Sequence, residues 1–329
     1  MYILGIETSC DETAAGVASN SEILSNIILT QSAHSRYGGV VPEIASREHI
    51  RHIVPIVDEA LQKAEIRFAD LSAIAVTRGP GLVGCLLVGV SYARNLGLSL
   101  DIPVVGVNHL EAHISTAFTD SEIDFPLLCL VVSGGHTLLV VVNGFGKYEI
   151  LGSSRDDAAG EAFDKVANLL GLTYPGGAKL DDLAEGGDPG IFRFPTVKLK
   201  KGRWDFSFSG IKTAVALKIK ELENTEYDPA NVAAGFRQAA VKMLISKLED
   251  AIEYTRCSRF AIVGGVAQNK LLRSEVDRLS AKTGVGCYYP DQSLCGDNGA
   301  MVAIAGNLML ENNINYESDF DASAYLPLK

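Results

Sequence analysis

Two histidines and one distant aspartate have the residue types and spacing of a metal site. His109 and His113 are four residues apart in a segment of helical character. Both imidazoles would therefore project from one helix face, one turn apart, where a single metal ion can bind both. Asp297 lies in the run Cys295-Gly-Asp-Asn-Gly299, at the predicted start of the last helix. Its carboxylate would complete a two-histidine, one-carboxylate set, which is typical of open catalytic iron or zinc sites. Isolated histidines more often pack or form hydrogen bonds, and sequence alone does not bring Asp297 to them.

The histidine pair does not indicate a zinc protease. Zinc proteases of the H-E-x-x-H type carry their general-base glutamate directly after the first histidine, and here that position is Leu110. Glu111 is two residues from His109, which places it about 200° around a helix. We expect Glu111 to point away from the metal.

Glycine-rich turns after predicted strands favour a nucleotide-binding site. A single glycine turn is weak evidence, but several together allow backbone N–H groups to approach phosphates closely. The turns are 78–81, 133–135, 175–177 and 264–269. Glu7, Asp11 and Glu12 add carboxylates around the first predicted turn, where a role as solvated turn residues and a role in catalysis both remain open.

A basic segment interrupts an otherwise acidic protein. The net charge is −11, yet residues 193–220 contain eight Lys or Arg and one acid, Asp205, with aromatic residues between them. Such a segment is either a solvated face or a surface that binds RNA phosphates and stacks on bases. The candidates for RNA contact are Lys198, Lys200, Lys201 and Arg203.

The order of predicted elements indicates a duplicated α/β fold. Each of two cycles begins with a strand, a polar turn and a strand, and continues with α/β units, the second cycle opening at Leu127. Such repetition predicts two related domains around a central nucleotide cleft. We expect residues 1–121 plus 297–329 to form the first domain and 122–296 the second.

Composition is that of a cytoplasmic enzyme. The 329 residues are 47% hydrophobic and 21% charged, and the six cysteines form no C-x-x-C pair. Free thiols in a reducing cytoplasm are therefore expected. The N-terminus has no signal-peptide pattern, and the apolar stretch 82–90 is too short to span a bilayer. We expect no membrane association.

Eight motifs along the chain resemble the bacterial TsaD family, the tRNA N6-adenosine threonylcarbamoyltransferases once described as glycoproteases. The motifs occur in order between residue 2 and about residue 305. They are Gly5-Ile-Glu-Thr-Ser-Cys-Asp-Glu-Thr13, His109-Leu-Glu-Ala-His113, Val131-Val-Ser-Gly-Gly-His-Thr137, Gly160-Glu-Ala-Phe-Asp-Lys165, Tyr174-Pro-Gly-Gly177, Asp205-Phe-Ser-Phe-Ser-Gly-Ile-Lys212, Gly264-Gly-Val-Ala-Gln-Asn269 and Cys295-Gly-Asp-Asn-Gly299.

The resemblance implies a fold, a cofactor and a ligand site. The fold is the actin-like fold of sugar kinases and heat-shock ATPases. His109, His113 and Asp297 would hold one Fe²⁺, with Zn²⁺ the alternative. The residues implied to bind threonylcarbamoyl-adenylate are Val131, Val132, Ser133, Gly134, Gly135, Asp164, Gly177, Asp181 and Asn269.

The resemblance also implies a reaction and partners. The threonylcarbamoyl group would pass from the adenylate to N6 of the adenosine 3′ of the anticodon, in tRNAs that read codons beginning with A. The implied partners are a TsaB-like paralogue and a TsaE-like ATPase. A bound metal would polarise the carbonyl, and Asp11 or Glu12 is the candidate acid or base.

An ATP-dependent actin-like kinase is the rival interpretation. Such a kinase would bind Mg²⁺, which prefers oxygen ligands, so the two histidines would have no role in it. A non-catalytic scaffold would leave both the histidines and the glycine turns without a role.

Overall fold

A computed structural model describes residues 1–20, 22–119, 124–196, 202–314 and 319–328. The chain divides into two compact units. Unit 1 comprises Met1–Ile123, Gly144–Tyr148 and Pro290–Lys329, and unit 2 comprises Asp124–Asn143 and Glu149–Tyr289. Compared with the predicted domains, unit 1 gains the short segment Gly144–Tyr148 and begins its C-terminal part at Pro290.

The strands are β1 Tyr2–Glu7, β2 Glu12–Ser19, β3 Glu22–Thr30, β4 Ala73–Gly79, β5 Val104–Asn108, β6 Leu127–Val132, β7 Thr137–Gly144, β8 Lys147–Ser153, β9 Arg259–Val263 and β10 Gly286–Tyr288. Each unit opens with the predicted strand, turn and strand, β1–β2 in unit 1 and β6–β7 in unit 2. The helices are α1 Pro42–Lys63, α2 Val83–Leu100, α3 His109–Ser115, α4 Ala159–Leu169, α5 Gly177–Glu185, α6 Ser209–Glu221, α7 Pro229–Thr255, α8 Lys270–Thr283 and α9 Gly299–Glu311. Short 3₁₀ helices connect several of them.

The sheets of the two units repeat one strand order. In unit 1 the order is β3-β2-β1-β4-β5, and in unit 2 it is β8-β7-β6-β9-β10. In both, the first strand of the unit pairs antiparallel with the strand after it, β1 with β2 and β6 with β7. In both, that first strand also pairs in parallel with a later strand, β1 with β4 and β6 with β9. The repeated topology confirms the predicted duplicated actin-like α/β fold.

Helix α9 packs directly against the sheet of unit 1 because glycines line the contact. A side chain at Gly5 in β1 would overlap the Gly299 carbonyl, and one at Gly299 would overlap the backbone of β2 at Ala15. Asn298 precedes the helix, and its Oδ1 accepts a hydrogen bond of 2.8 Å from the Met301 N–H. The helix begins at Gly299, so Asp297 lies in the turn just before it and not at the predicted helix start.

Helix α2 extends well beyond the apolar stretch 82–90, as far as Leu100. It has 18 residues with a mean hydropathy of 1.3, so by length and composition alone it could cross a membrane. This is weak evidence, because core helices of water-soluble proteins pass the same test. One face of α2, including Cys85, Leu86, Val90 and Ala93, is buried in unit 1.

Candidate metal centre and substrate-binding residues

Helix α3 carries both histidines of the predicted metal site. Asn108 caps the helix: its Oδ1 accepts hydrogen bonds from the Leu110 N–H at 2.9 Å and the Glu111 N–H at 3.4 Å. A side-chain oxygen at this position accepts hydrogen bonds from the first N–H groups of the helix, which have no partner within the helix itself. The rings of His109 and His113 are both buried, with centroids 4.8 Å apart. Their spacing on one face is as predicted.

Asp297 reaches the two histidines from the other end of the sequence. Its Oδ1 lies 3.1 Å from Nε2 of His113 and 3.6 Å from Nε2 of His109. One ligand atom from each of the three residues lies within 4.8 Å of the others. Two imidazole nitrogens and a carboxylate oxygen converging in this way fit an iron or zinc ion that keeps an open position.

Glu7 orients His109, a role that the motif pattern did not assign. The carboxylate is fully buried at the end of β1, and its Oε2 lies 3.1 Å from Nδ1 of His109. The Thr77 hydroxyl donates a 2.6 Å hydrogen bond to the same oxygen. Metal-bound histidines usually donate their second N–H to a carboxylate, so Glu7 leaves Nε2 of His109 facing Asp297. In the sequence, the feature that could have indicated this role is an acidic residue at the end of the first predicted strand.

Glu111 turns away from this site, as expected. Its Oε1 accepts a 2.6 Å hydrogen bond from the Tyr148 hydroxyl. Both residues line a small cavity with Ser115, Phe118 and Phe145. Glu111 therefore lies on the face of α3 opposite the metal ligands, and the protease arrangement is absent from this helix.

The charges of the site favour a cation. Burial lowers the pKa of His109, but the carboxylates of Asp297 and Glu7 outweigh it and raise that pKa to about 9. Burial raises the pKa of Glu7, but attraction to His109 outweighs it and the pKa is lowered. The two carboxylates therefore stabilise a proton on His109, and they would attract a divalent cation in the same way.

Asp11 lies in the turn between β1 and β2, and Glu12 is the first residue of β2. Asp11 is buried and Glu12 is partly exposed. Burial and the neighbouring Asp11 raise the pKa of Glu12 well above its ordinary value. The turn is held by His49 of α1, whose Nε2 donates to the Cys10 carbonyl at 2.9 Å while its Nδ1 lies 2.8 Å from the Thr13 hydroxyl.

The glycine turn at 133–135 follows β6 in unit 2. Val131 and Val132 are fully buried strand residues, so only their backbone groups remain for a ligand. The N–H of Glu161 in α4 donates to the Gly134 carbonyl at 3.0 Å. A side chain at Gly134 or Gly135 would meet no atom within 4 Å. The turn thus presents bare backbone to open space.

The four other predicted substrate residues form two hydrogen-bonded pairs in unit 2. Oδ1 of Asp164 accepts from the Gly177 N–H at 2.9 Å. Asn269 donates from Nδ2 to Oδ1 of Asp181 at 2.7 Å, while its own Oδ1 caps α8. Arg237, which the motifs did not single out, also donates to Oδ1 of Asp181 at 2.9 Å. The buried guanidinium therefore holds the Asp181–Asn269 pair.

The predicted tRNA patch is described in part. Lys198, Lys200 and Lys201 lie outside the described residues. Arg203 makes a bidentate ion pair with Asp250, at 2.7 Å from Nε and 2.6 Å from Nη2, and lies 5.0 Å above the Trp204 ring. The charge of Arg203 is thus largely balanced within the protein.

A family model and full-length relatives match this chain. The model for TsaD, tRNA N6-adenosine threonylcarbamoyltransferase, matches residues 22–304. The tRNA N6-adenosine threonylcarbamoyltransferase of Syntrophotalea carbinolica is 48% identical over 332 residues, covering 100% of this chain and 97% of the relative. The same enzyme of Clostridium perfringens is 50% identical over 319 residues, covering 95% of this chain and 94% of the relative.

Solved structures share the fold at low sequence identity. HypF from T. kodakarensis has a TM-score of 0.62 at 17% identity, covering 96% of this chain and 48% of that one. Component A of the Acidaminococcus fermentans (R)-2-hydroxyglutaryl-CoA dehydratase has a TM-score of 0.54 at 17% identity, covering 95% and 99%. Such identities show the fold alone.

Proposed function

The chain belongs to the TsaD family of tRNA N6-adenosine threonylcarbamoyltransferases, and from that premise we propose the reaction, the cofactor and the partners. The proposed donor is threonylcarbamoyl-adenylate, and the acceptor is N6 of the adenosine 3′ of the anticodon in tRNAs that read codons beginning with A. A bond forms between N6 and the carbamoyl carbon while the bond from that carbon to the phosphate oxygen breaks. The amine loses a proton and AMP leaves.

The cluster of His109, His113 and Asp297 is the observation that carries this proposal. We propose that it holds one Fe²⁺, with Zn²⁺ the alternative, because two buried imidazoles and one carboxylate converge within 4.8 Å. When bound, the metal would supply Lewis-acid polarisation of the carbonyl. Glu7 keeps Nε2 of His109 directed at Asp297, so the ligands are positioned before substrate arrives.

Unit 2 is proposed to hold the adenylate. The turn at 133–135 offers backbone N–H groups to the phosphate, and the exposed glycines leave room for close approach. Asp164 and Asp181 would accept hydrogen bonds from hydroxyl groups, with Gly177 and Asn269 beside them. Because AMP is already a good leaving group, positioning of the amine and carbonyl would supply much of the remaining rate enhancement.

Of the two proposed acid–base residues, we propose Glu12 for transfer of the amine proton, on electrostatic grounds. Its pKa is raised by burial and by Asp11, and a carboxylate of raised pKa accepts a proton more readily. Asp11 would then keep that pKa high.

The proposed partners are tRNA, a TsaB-like paralogue and a TsaE-like ATPase, all in the cytoplasm. Helices α1 and α2 pack together and expose apolar residues one turn apart on each: Ile50 and Val54 on α1, Val83 and Leu87 on α2. We propose that these exposed apolar residues contribute to the surface that binds the paralogue, since large exposed apolar patches mark protein interfaces.

A reconstituted transfer reaction tests the function. Labelled threonine, bicarbonate, ATP, a separate synthase, the two partners and this chain should together label tRNA, and omission of this chain should abolish the label. Guanosine in place of the acceptor adenosine should also abolish it, since guanosine has a carbonyl at C6. A folded, metal-loaded chain that leaves tRNA unlabelled would refute the proposal. Phosphorylation of a substrate with ATP alone would favour a kinase.

A further inference from the structure

We propose that the C-terminal tail, residues 319–328, is a positioning element for the metal-binding helix α3 and acts through Asn108. The inference rests on the metal site proposed above. It concerns residues that lie outside the metal ligands and outside the predicted substrate residues.

Asn108 connects the tail to α3 through the two ends of one amide group. Its Oδ1 caps the helix at the Leu110 N–H, 2.9 Å away. Its Nδ2 donates to the carbonyl of Leu326 at 3.0 Å and lies 3.5 Å from that of Pro327. A primary amide is planar, so fixing the nitrogen also fixes the oxygen that caps the helix. His109 is the next residue after Asn108.

The tail is built into unit 1. Phe320 is 4% exposed, and the guanidinium groups of Arg94 and Arg78 lie 5.0 Å and 5.7 Å from its ring centroid. The Ser323 N–H donates to the Arg78 carbonyl at 2.8 Å. Leu328 is also buried, at 7% exposure. The tail therefore has anchors on both sides of its contact with Asn108.

Two glycines provide the space in which the tail lies. Gly79 has φ +151°, and a side chain there would overlap the Ser323 carbonyl. A side chain at Gly106 would lie 2.9 Å from the ring of Phe320. Gly79 ends β4 and Gly106 is in β5, the strand that leads into Asn108. The tail thus touches the strand ends that support α3.

The tail also contacts the segment that reaches the second nitrogen of His109. The Gly81 N–H donates to the Ala324 carbonyl at 3.3 Å, and the neighbouring Leu82 N–H donates to the Ser9 carbonyl at 2.8 Å. The Ser9 hydroxyl lies 3.3 Å from Nδ1 of His109. Two routes, through Asn108 and through Ser9, therefore join the tail to the same imidazole.

Substitutions at Asn108 separate the tail contact from the helix cap. Serine at this position keeps an oxygen that caps the helix but has no second donor for the tail. We expect Asn108→Ser to raise the Kd for Zn²⁺ up to about fivefold, as for the loss of one hydrogen bond. Asn108→Ala also removes the cap and should raise it by about a further fivefold. Asn95→Ser is the matched control, because the hydrogen bonds of Asn95 among the described residues stay within its own helix, at Ser91 and Ser99.

Phe320→Ala should act through the tail contacts of both routes. It releases the tail anchor, so its effect on Kd should overlap that of Asn108→Ser and add to it less than fully, as expected for residues in one network. The absorption spectrum of bound Co²⁺ should change in both variants and stay unchanged in Asn95→Ser, because it reports ligand geometry.

Hydrogen exchange distinguishes a positioning role of the tail from a purely structural one. Exchange in a tail that only stabilises the fold would not respond to Zn²⁺. Coupling is reciprocal, so Zn²⁺ should slow exchange in the peptide 319–328 of the wild-type chain, and less so in Asn108→Ser. The inference fails if Asn108→Ser and Phe320→Ala lower the melting temperature while Kd for Zn²⁺ and its effect on exchange stay at wild-type values. Zn²⁺ binding that survives His113→Ala at full affinity would instead refute the metal site on which the proposed function depends.

Discussion

Nδ1 of His109 lies 3.1 Å from Oε2 of Glu7, a residue at the end of the first strand and fully buried. The contact fixes which imidazole nitrogen faces Asp297. Glu7→Gln keeps the shape but removes the charge, so we expect affinity for Zn²⁺ to fall about 10- to 100-fold, as for other partners of metal-bound histidines. Competition titration with a chelating dye measures it. The exposed Glu223→Gln is the control, and wild-type affinity in Glu7→Gln would show that the carboxylate does not orient the ligand.

His109→Ala and His113→Ala should each lose most of the metal while the fold persists. Each change removes one of three protein ligands, and the remaining two hold a metal weakly. Elemental analysis of protein purified without an affinity tag gives the metal content, and circular dichroism checks the fold. His52→Ala, on α1, should retain the metal. Full metal content in both site variants would place the ion elsewhere.

Arg237→Gln should destabilise unit 2 because it leaves Asp181 without its cation. The two side chains form a 2.9 Å ion pair, with each side chain 10% exposed. Removing one partner of a buried pair costs roughly 3 kcal/mol, measurable by urea denaturation. Adding Asp181→Asn to Arg237→Gln should recover part of the loss, since no buried unpaired charge then remains. Glu185, the other partner of Arg237, is half exposed and stays hydrated. A double variant as unstable as the single one would contradict this explanation.

Asn269→Ala should weaken capture of the adenylate, and Asp297→Asn should chiefly slow transfer. Asn269 holds Asp181 and caps α8, whereas Asp297 belongs to the proposed metal site. Steady-state transfer assays should therefore show a raised KM in the first variant and a lowered kcat in the second. The opposite pattern would exchange the proposed roles of the two residues.

Charge reversal at Lys198, Lys200 and Lys201 should weaken tRNA binding and flatten its salt dependence, since each phosphate contact contributes close to one unit of slope. Arg203→Gln is the comparison within the same segment. Its guanidinium is already paired with Asp250, so the slope should change little. Equal slopes for the triple variant and the wild type would show that the segment is a solvated face without phosphate contacts.

Gly299→Ala should destabilise unit 1 and disturb Asp297. A side chain there would overlap the backbone of β2, and α9 would have to move off the sheet. Overpacking of this kind costs roughly 1–3 kcal/mol or more, seen as a lower melting temperature and a reduced metal content. Gly39→Ala, which meets no neighbour within 4 Å, should change neither quantity.

The sequence predicted those features that depend on short-range geometry. His109 and His113 share a face because the helical period is constant, and Glu111 turns away for the same reason. The buried strands were predicted because their apolar runs are continuous. Strand β8 has no clear sequence signal because its pattern mixes exposed and buried residues, and β10 has none because it is only three residues long. Helix α5 likewise has a weak signal, because a glycine turn precedes it and its apolar face is short.

Contacts between distant residues required the tertiary structure. Asp297 and His113 are 184 residues apart, and their contact depends on α9 packing onto a sheet whose glycines admit it. The bonds from Glu7 to His109, from Arg237 to Asp181 and from Asn108 to the tail likewise join segments far apart in the chain. Residue type and local periodicity set which groups are available for chemistry. The order of strands and the closeness of packing decide which of those groups meet, because these depend on the whole chain burying its apolar surface at once.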